Sequence, residues 1–179
     1  MRIGIAGAPG SGTTTLALRL AGRFGLSVYS AGSAYRAGAK ERGITLSEFC
    51  KLAENDTSID REIDKRQERF ARANDNIIIE SRLAGLVMDN ADLLILLTAP
   101  LCVRAERVAR RDGITPEEAL EQTRAREDFE RRQYRTLYGI DITSIAPYHM
   151  VLDTERLSAD AVFEVVSRTV DTARHTSSI

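Results

Sequence analysis

The sequence predicts an α/β protein, a doubly wound parallel sheet of five strands flanked by helices. Three observations carry this reading. Short, strongly apolar runs (Ile3 to Ala6, Asn76 to Glu80, Ala91 to Ala99) lack polar alternation, as strands covered on both faces do. Segments with helical periodicity and recognisable start and stop residues lie between those runs. A glycine-rich stretch, Gly7-Ala8-Pro9-Gly10-Ser11-Gly12-Thr13-Thr14-Thr15, follows the first run directly and opens a helical pattern.

Helix 1 should run from about Gly12 to Phe24, because Leu16, Leu20 and Phe24 recur at i, i+4 and i+8 with Ala17 and Ala21 beside them. Gly25 is its stop. Leu26 to Tyr29 reads as a short strand. Thr45-Leu46-Ser47-Glu48 is a capping box, and Thr57 to Asp60 resembles another, with a turn at Asn55-Asp56 between them. Pro100 stops the strand that begins at Ala91. Leu101 to Arg111 reads as a helix ending at Gly113. Thr115-Pro116-Glu117-Glu118 starts the next, which continues to about Tyr138. Met150 to Asp153 is the last strand. Ser158 caps a final helix whose stripe is Val162, Val165, Val166 and Val170, and the tail from Thr172 to Ile179 reads as frayed. In such a sheet, ligands sit beyond the carboxyl ends of the strands. Gly7, Ser30, Glu80 and Thr98 fall at those ends.

The glycine-rich stretch follows the P-loop pattern G-x-x-x-x-G-K-[ST], with Thr13 where Lys is expected. The P-loop NTPase fold is therefore the expected architecture. Its glycines permit positive φ and close approach, so that backbone N–H groups converge on an anion. A following helix N-terminus adds its dipole. Gly7 to Thr15 are thus the expected triphosphate-binding residues, and Thr14 stands where the motif places a hydroxyl on Mg²⁺. Thr13 donates a hydrogen bond but brings no charge, a loss of about 1.5–3 kcal/mol if nothing replaces it. The chain has 22 Arg and 3 Lys, with no Lys near the loop, so arginines from elsewhere are expected to close over the phosphates.

Composition narrows the class. A chain of 179 residues fits one domain, and 43% hydrophobic residues is ordinary for a globular protein. A net charge of −1 gives no global attraction to nucleic acid or membrane. Cys50 and Cys102 lack metal-ligand spacing and read as reduced thiols, and His149 and His175 form no ligand cluster with them. The sequence opens on a strand, not a leader, and its longest apolar run is too short to span a bilayer. The expectation is a cytoplasmic protein.

Guanidinium groups gather beyond the strand ends. Ser30-Ala31-Gly32-Ser33-Ala34-Tyr35-Arg36 follows strand 2, Glu80-Ser81-Arg82 follows strand 3, and nine arginines lie between Leu101 and Arg135. Arginine binds phosphate oxygens through a planar fork that keeps its charge. One P-loop takes one triphosphate, so separate arginine loops point to a second phosphorylated ligand facing it, and two facing phosphates imply phosphoryl transfer. Those nine arginines also alternate with eight acids, which is the pattern of salt-bridged helix faces. Glu80 ends a buried strand, where an unpaired carboxylate is rare. Tyr35, Tyr134 and Tyr138 read as packing residues.

Over essentially its whole length the chain resembles the P-loop nucleoside monophosphate kinases, and within them the short archaeal-type cytidylate kinases. S-x-G-x-x-x-R from Ser30 to Arg36 is similar to the monophosphate-binding segment, which implies that Ser30, Gly32 and Arg36 hold the acceptor. Glu80-Ser81-Arg82 is similar to the D-G-R of cytidylate kinases, with two changes, and implies that Arg82 touches the monophosphate. Arg104, Arg107, Arg110 and Arg111 look like the lid. Arg126 and Arg131-Arg132 look like the arginines facing the transferring group. Tyr138 to Ile142 also looks like the archaeal subgroup. The resemblance implies a single kinase domain over 1–179. Its core is 1–36, 74–100 and 139–179, with an NMP-binding insert over about 37–73 and a lid with its following helix over about 101–138.

The reaction implied is transfer of the γ-phosphate of ATP to CMP or dCMP, with Mg²⁺, by an enzyme expected to be a monomer that binds neither nucleic acid nor membrane. Thr13, Arg107, Arg111, Arg126 and Arg132 are the expected catalytic residues, and Thr14 and Glu80 the expected metal ligands, Glu80 through a water. Ser30, Gly32, Arg36, Asp64, Glu80 and Arg82 are the expected acceptor site. Base choice rests on the resemblance. Asp60, Arg61, Asp64 and Lys65 lie in the insert, where an Asp can accept from a cytosine amino group, but each also reads as an ordinary solvated helix charge. Two alternatives stand: an adenylate or uridylate kinase on the same scaffold, and a nucleotide-binding regulator or ATPase whose phosphotransfer is weakened by Thr13.

Overall fold

Five parallel strands lie in the order β2-β3-β1-β4-β5 in the computed structural model, which describes residues 1–88 and 90–176. The strands are β1 (Arg2–Gly7), β2 (Ser27–Ser30), β3 (Ile77–Glu80), β4 (Leu93–Thr98) and β5 (Met150–Asp153). Helix α1 (Thr13–Phe24) leaves β1, and α2 (Ala31–Glu41), α3 (Leu46–Asn55) and α4 (Thr57–Ala73) lie between β2 and β3. The short α5 (Ala84–Val87) follows β3, α6 (Leu101–Asp112) and α7 (Pro116–Tyr138) follow β4, and α8 (Ala159–Thr176) closes the described chain. Thr172 to Thr176, expected to be frayed, continue helix α8, and Ser177 to Ile179 lie outside the described residues.

Alternation along the central strands explains the unbroken apolar runs. Ile3, Ile5, Ile78, Ile95 and Leu97 face α1 and α8, meeting Leu16, Leu20, Val162, Val166 and Val170. Their neighbours Ala6, Ile77, Ile79, Leu94 and Leu96 form the opposite layer with Ala71, Ala84 and Met88. Both faces are covered, so polar residues have no place in these strands. A third cluster, Ala105, Val108, Ala109 and Ala119, joins α6 to α7.

Register sets the site. Ile5 pairs with Glu80 and Ser30 pairs with Glu80, so the ends of β1, β2 and β3 open side by side. The capping boxes at Thr45 and Thr115 form as the sequence predicts. Three further expectations need correction. The cap of α4 is Asp56, whose carboxylate accepts from Ser58 N, because Asp60 turns inward instead of reaching back. Val165 is 41% exposed, since it sits one position off the 162–166–170 stripe. The segment after β2 is helical from Ala31, with Ser30 Oγ accepting from Ser33 N as its cap.

Candidate active site

The loop between β1 and α1 is built to receive an anion. Gly10 and Gly12 have φ of 86° and 97°, in the left-handed region where a side chain is strained. Gly7 is required for space, since a Cβ there would lie 2.7 Å from the Leu97 carbonyl oxygen. Helix α1 has no side-chain cap and no acidic residue in its first turn, which leaves its N–H groups and dipole directed at the loop.

Two clefts meet at this loop. The first, of about 600 Å³, runs along Gly10 to Leu16 and is walled by Arg107, Val108, Thr154, Leu157, Ser158 and Val162. The second holds Gly32, Tyr35, Glu80, Ser81, Arg82, Arg126 and Glu130, and extends to Asp60, Phe129, Gln133 and Tyr134. Gly10, Thr13, Thr14, Arg36 and Arg111 line both.

Thr13, in the position of the motif's Lys, donates to Glu80 Oε1 at 2.6 Å. Ser30 Oγ donates to the other Glu80 oxygen. Glu80 is thereby fixed by one hydroxyl from the loop and one from the end of β2. Its 8% exposure explains why a strand-end carboxylate needs both.

The arginines divide by packing. Arg104 is buried, and its guanidinium reaches the Ala99 and Pro9 carbonyls and, at 2.7 Å, Glu127. Arg107 donates to the Gly10 carbonyl at 3.3 Å and to Thr154 Oγ1 at 2.9 Å, tying α6 to the loop as a fixed wall of the first cleft. Arg110 is exposed and pairs with Glu106. Arg111 makes two parallel bonds to Asp112, both at 2.7 Å, at the junction of the clefts. Burial lowers the pKa of Arg36, the charges of Arg111 and Arg126 lower it further, and Glu80 and Asp112 offset only part of this. A guanidinium in that situation marks a place that an anion would fill.

Glu130 bridges Arg82 and Arg126. Its Oε1 accepts from Arg126 Nε at 2.8 Å, and its Oε2 forms a 2.9 Å ion pair with Arg82 Nε. Burial opposes the charge of Arg126, but the charge and hydrogen bond of Glu130, with smaller help from Cys50 and Tyr134, together outweigh it, so the net pKa direction is upward. Among the expected site residues, Ser30, Asp64 and Arg132 line neither cleft: the Ser30 hydroxyl is taken by Glu80, Asp64 accepts from the Tyr138 hydroxyl at 2.5 Å, and Arg132 is exposed.

Asp60 is 3% exposed and cannot be counted as a solvated helix charge. Burial raises its pKa, a hydrogen bond from Gln133 opposes the shift, and the charges of Asp64 and Glu130 add to it. The folded protein therefore holds this proton to higher pH than the unfolded chain, and the stability it contributes is lost as pH rises through the folded pKa. Asp60→Asn is expected to raise the melting temperature at pH 7 and to lose that advantage at pH 4. Thermal unfolding at the two pH values checks this, and equal shifts at both would contradict it.

The family model described as the cytidylate kinase-like family matches residues 2–156. The chain belongs to this family. A curated cytidylate kinase of Pyrococcus furiosus is 50% identical over 169 residues, 94% of this chain and 88% of the relative. One of Methanosphaerula palustris is 46% identical, covering 97% of this chain and 99% of its own. Shikimate kinase from Bacteroides thetaiotaomicron shares the fold at 13% identity, with a TM-score of 0.60 over 96% of this chain and 98% of that one.

Within this cytidylate kinase-like chain, sequence reasoning missed Glu130, Gln133 and Thr154. Glu130 is four residues after Arg126, and that spacing alone could have flagged the pair. Thr154 follows the end of β5, where the strand-end rule applied to the other strands would have found it. Gln133 carried no signal. No group of three or more His, Cys, Asp or Glu able to hold a metal occurs among the described residues. A cation bound here would take most of its ligands from phosphate and water, the usual habit of Mg²⁺. No helix of the described residues is long and apolar enough to cross a membrane.

Proposed function

We propose that this chain transfers the γ-phosphoryl group of ATP to CMP, and to dCMP, giving the diphosphate and ADP. The observation that carries the reading is the meeting of two clefts over one P-loop, with Arg36 and Arg111 in both walls. An ATPase or regulator needs the first cleft alone. The names of the curated relatives, at 50% and 46% identity over nearly the whole chain, support the cytidine acceptor.

Phosphoryl transfer through a loose transition state needs position and charge more than a strong base. The loop amides and the α1 N-terminus hold the donor phosphates. Arg107, fixed by Gly10 and Thr154, walls the donor cleft. Arg36, Arg82 and Arg126 aim the acceptor phosphate, with Glu130 setting the last two. Arg111 stabilises the charge that develops between the substrates. Thr14, and Glu80 through a water, would hold Mg²⁺, which would supply charge neutralisation at the donor phosphates. Thr13 holds Glu80 for that role, and Arg36 and Arg111 provide the positive charge that a loop Lys would supply.

A monomeric, cytoplasmic enzyme of one domain completes the reading. ADP release from Mg²⁺-ATP, with CMP, dCMP, UMP or AMP each added alone, tests it. Strong stimulation by CMP and dCMP is the expected result. ATP hydrolysis indifferent to every acceptor would overturn it in favour of an ATPase, and a stronger response to AMP or UMP would move the assignment within the kinases.

A further inference from the structure

We propose that a hydrogen-bonded pair, the buried Asp60 on α4 and the half-buried Gln133 on α7, reads the acceptor base and admits bases bearing an exocyclic amino group over those bearing an oxo group. This deepens the kinase reading above and rests on it for the identity of the acceptor cleft.

Both residues line the second cleft. Asp60 is 3% exposed, and its hydrogen bond comes from Gln133 Nε2 to Oδ2 at 2.7 Å. No arginine or lysine pairs with it among the described residues. A buried carboxylate without a cation is costly and is normally relieved by a donor. The same Gln133 nitrogen also approaches the Ala53 carbonyl at 3.5 Å, so its two protons are both directed at protein oxygens. That leaves Asp60 Oδ1 and Gln133 Oε1 as acceptors without a protein donor among the described residues. This part of the cleft is therefore a place for N–H donors.

A cytosine amino group supplies such donors. The O4 of uracil would set a lone pair against a carboxylate, and that mismatch leaves buried groups unpaired, which discriminates more strongly than a missing contact. The spacing fits a mononucleotide. Arg126, Glu130 and Gln133 lie along one face of α7, and Arg126 and Gln133 are two turns apart, about 10 Å, so one helix meets the phosphate at one end and the base at the other. Phe129 and Tyr134 lie on the same stretch of α7 and give the base apolar walls. Asp64, one turn further along α4, is taken by Tyr138 and stands outside the cleft. The pair sorts amino from oxo bases; it does not by itself separate cytosine from adenine, which presents a similar amino group.

The test is the ratio of kcat/KM for CMP over UMP in the wild type, Asp60→Asn and Gln133→Leu, with CMP and UMP binding measured by calorimetric titration on the same proteins. Asp60→Asn is expected to lower the ratio about 10- to 100-fold, mostly through the acceptor KM, with the KM for ATP unchanged. Gln133→Leu should move the ratio in the same direction and gives a second, independent reading of the pair. An unchanged CMP:UMP ratio in a folded variant overturns the inference. If the wild type phosphorylates neither nucleotide, the kinase reading falls. In that event a binding preference for CMP that Asp60→Asn abolishes would still uphold the base-reading pair, and equal binding of both by the wild type would sink it.

Discussion

Arg111→Ala is expected to lower kcat about 10³-fold while the KM values for ATP and CMP stay within a few-fold, by analogy with a trans-acting arginine in phosphoryl transfer. The expectation follows from where Arg111 stands and what holds it. It lines both clefts, at the point where the γ-phosphate of one ligand would face the phosphate of the other. Its fork is occupied by Asp112, in a pair whose side chains are 46% and 38% exposed. Exposed pairs contribute roughly 0–1 kcal/mol, so exchanging Asp112 for phosphate costs little. Ground-state binding therefore loses little when Arg111 goes. The transition state loses a charge in a site that Arg36 and Arg126 already make positive. Arg111→Lys should recover only part of the rate, because an ammonium lacks the fork that grips two oxygens at once. Steady-state and single-turnover kinetics check both variants. A kcat within threefold of wild type for Arg111→Ala would remove Arg111 from the transfer step.

Much of this arrangement was legible in the sequence, for physical reasons. Ile77, Ile78 and Ile79 are all fully buried because the sheet is covered on both faces, and a short β-branched run without polar alternation is what such a strand requires. The P-loop is local chemistry, as are the capping boxes at Thr45 and Thr115, so short spacing rules find them. The arginines of α6 and α7 were harder. Arg104, Arg107, Arg110 and Arg111 read as one run, yet the packing of α6 buries the first, ties the second to Gly10, leaves the third in solvent and puts the fourth at the junction. Neighbouring residues on a helix point in different directions, and only the angle at which the helix packs decides which direction is inward. Asp60 and Asp64 show the same limit. They sit one turn apart on α4, and the contacts of α7, Gln133 to one and Tyr138 to the other, separate a cleft residue from a surface contact. Such contacts join residues 73 and 74 positions apart, beyond the reach of any local pattern.

The second large effect is expected at a residue that touches neither substrate in the proposed mechanism. Glu130→Ala should destabilise the protein by about 3–5 kcal/mol, because it leaves two guanidiniums facing each other in a buried place. Glu130 is 7% exposed, and the side chains of Arg82 and Arg126 are 14% and 23% exposed, so water cannot replace the carboxylate cheaply. For a domain of this size that corresponds to a fall of roughly 6–20 °C in melting temperature. Activity should fall as well, by about 10²-fold in kcat/KM for CMP, since a misplacement of an ångström in the phosphate-aiming arginines is enough. Glu130→Gln keeps the shape and one acceptor, and should lie between the variant and the wild type in both respects. The decisive reading is the effect of added inorganic phosphate on the two melting temperatures. An anion that binds the folded state alone stabilises it by mass action, and in Glu130→Ala it also restores the missing negative charge between Arg82 and Arg126. The gap to wild type should therefore narrow as phosphate is raised. A gap that stays constant would mean that Glu130 supports α7 through packing and that the charge of the two arginines is compensated elsewhere.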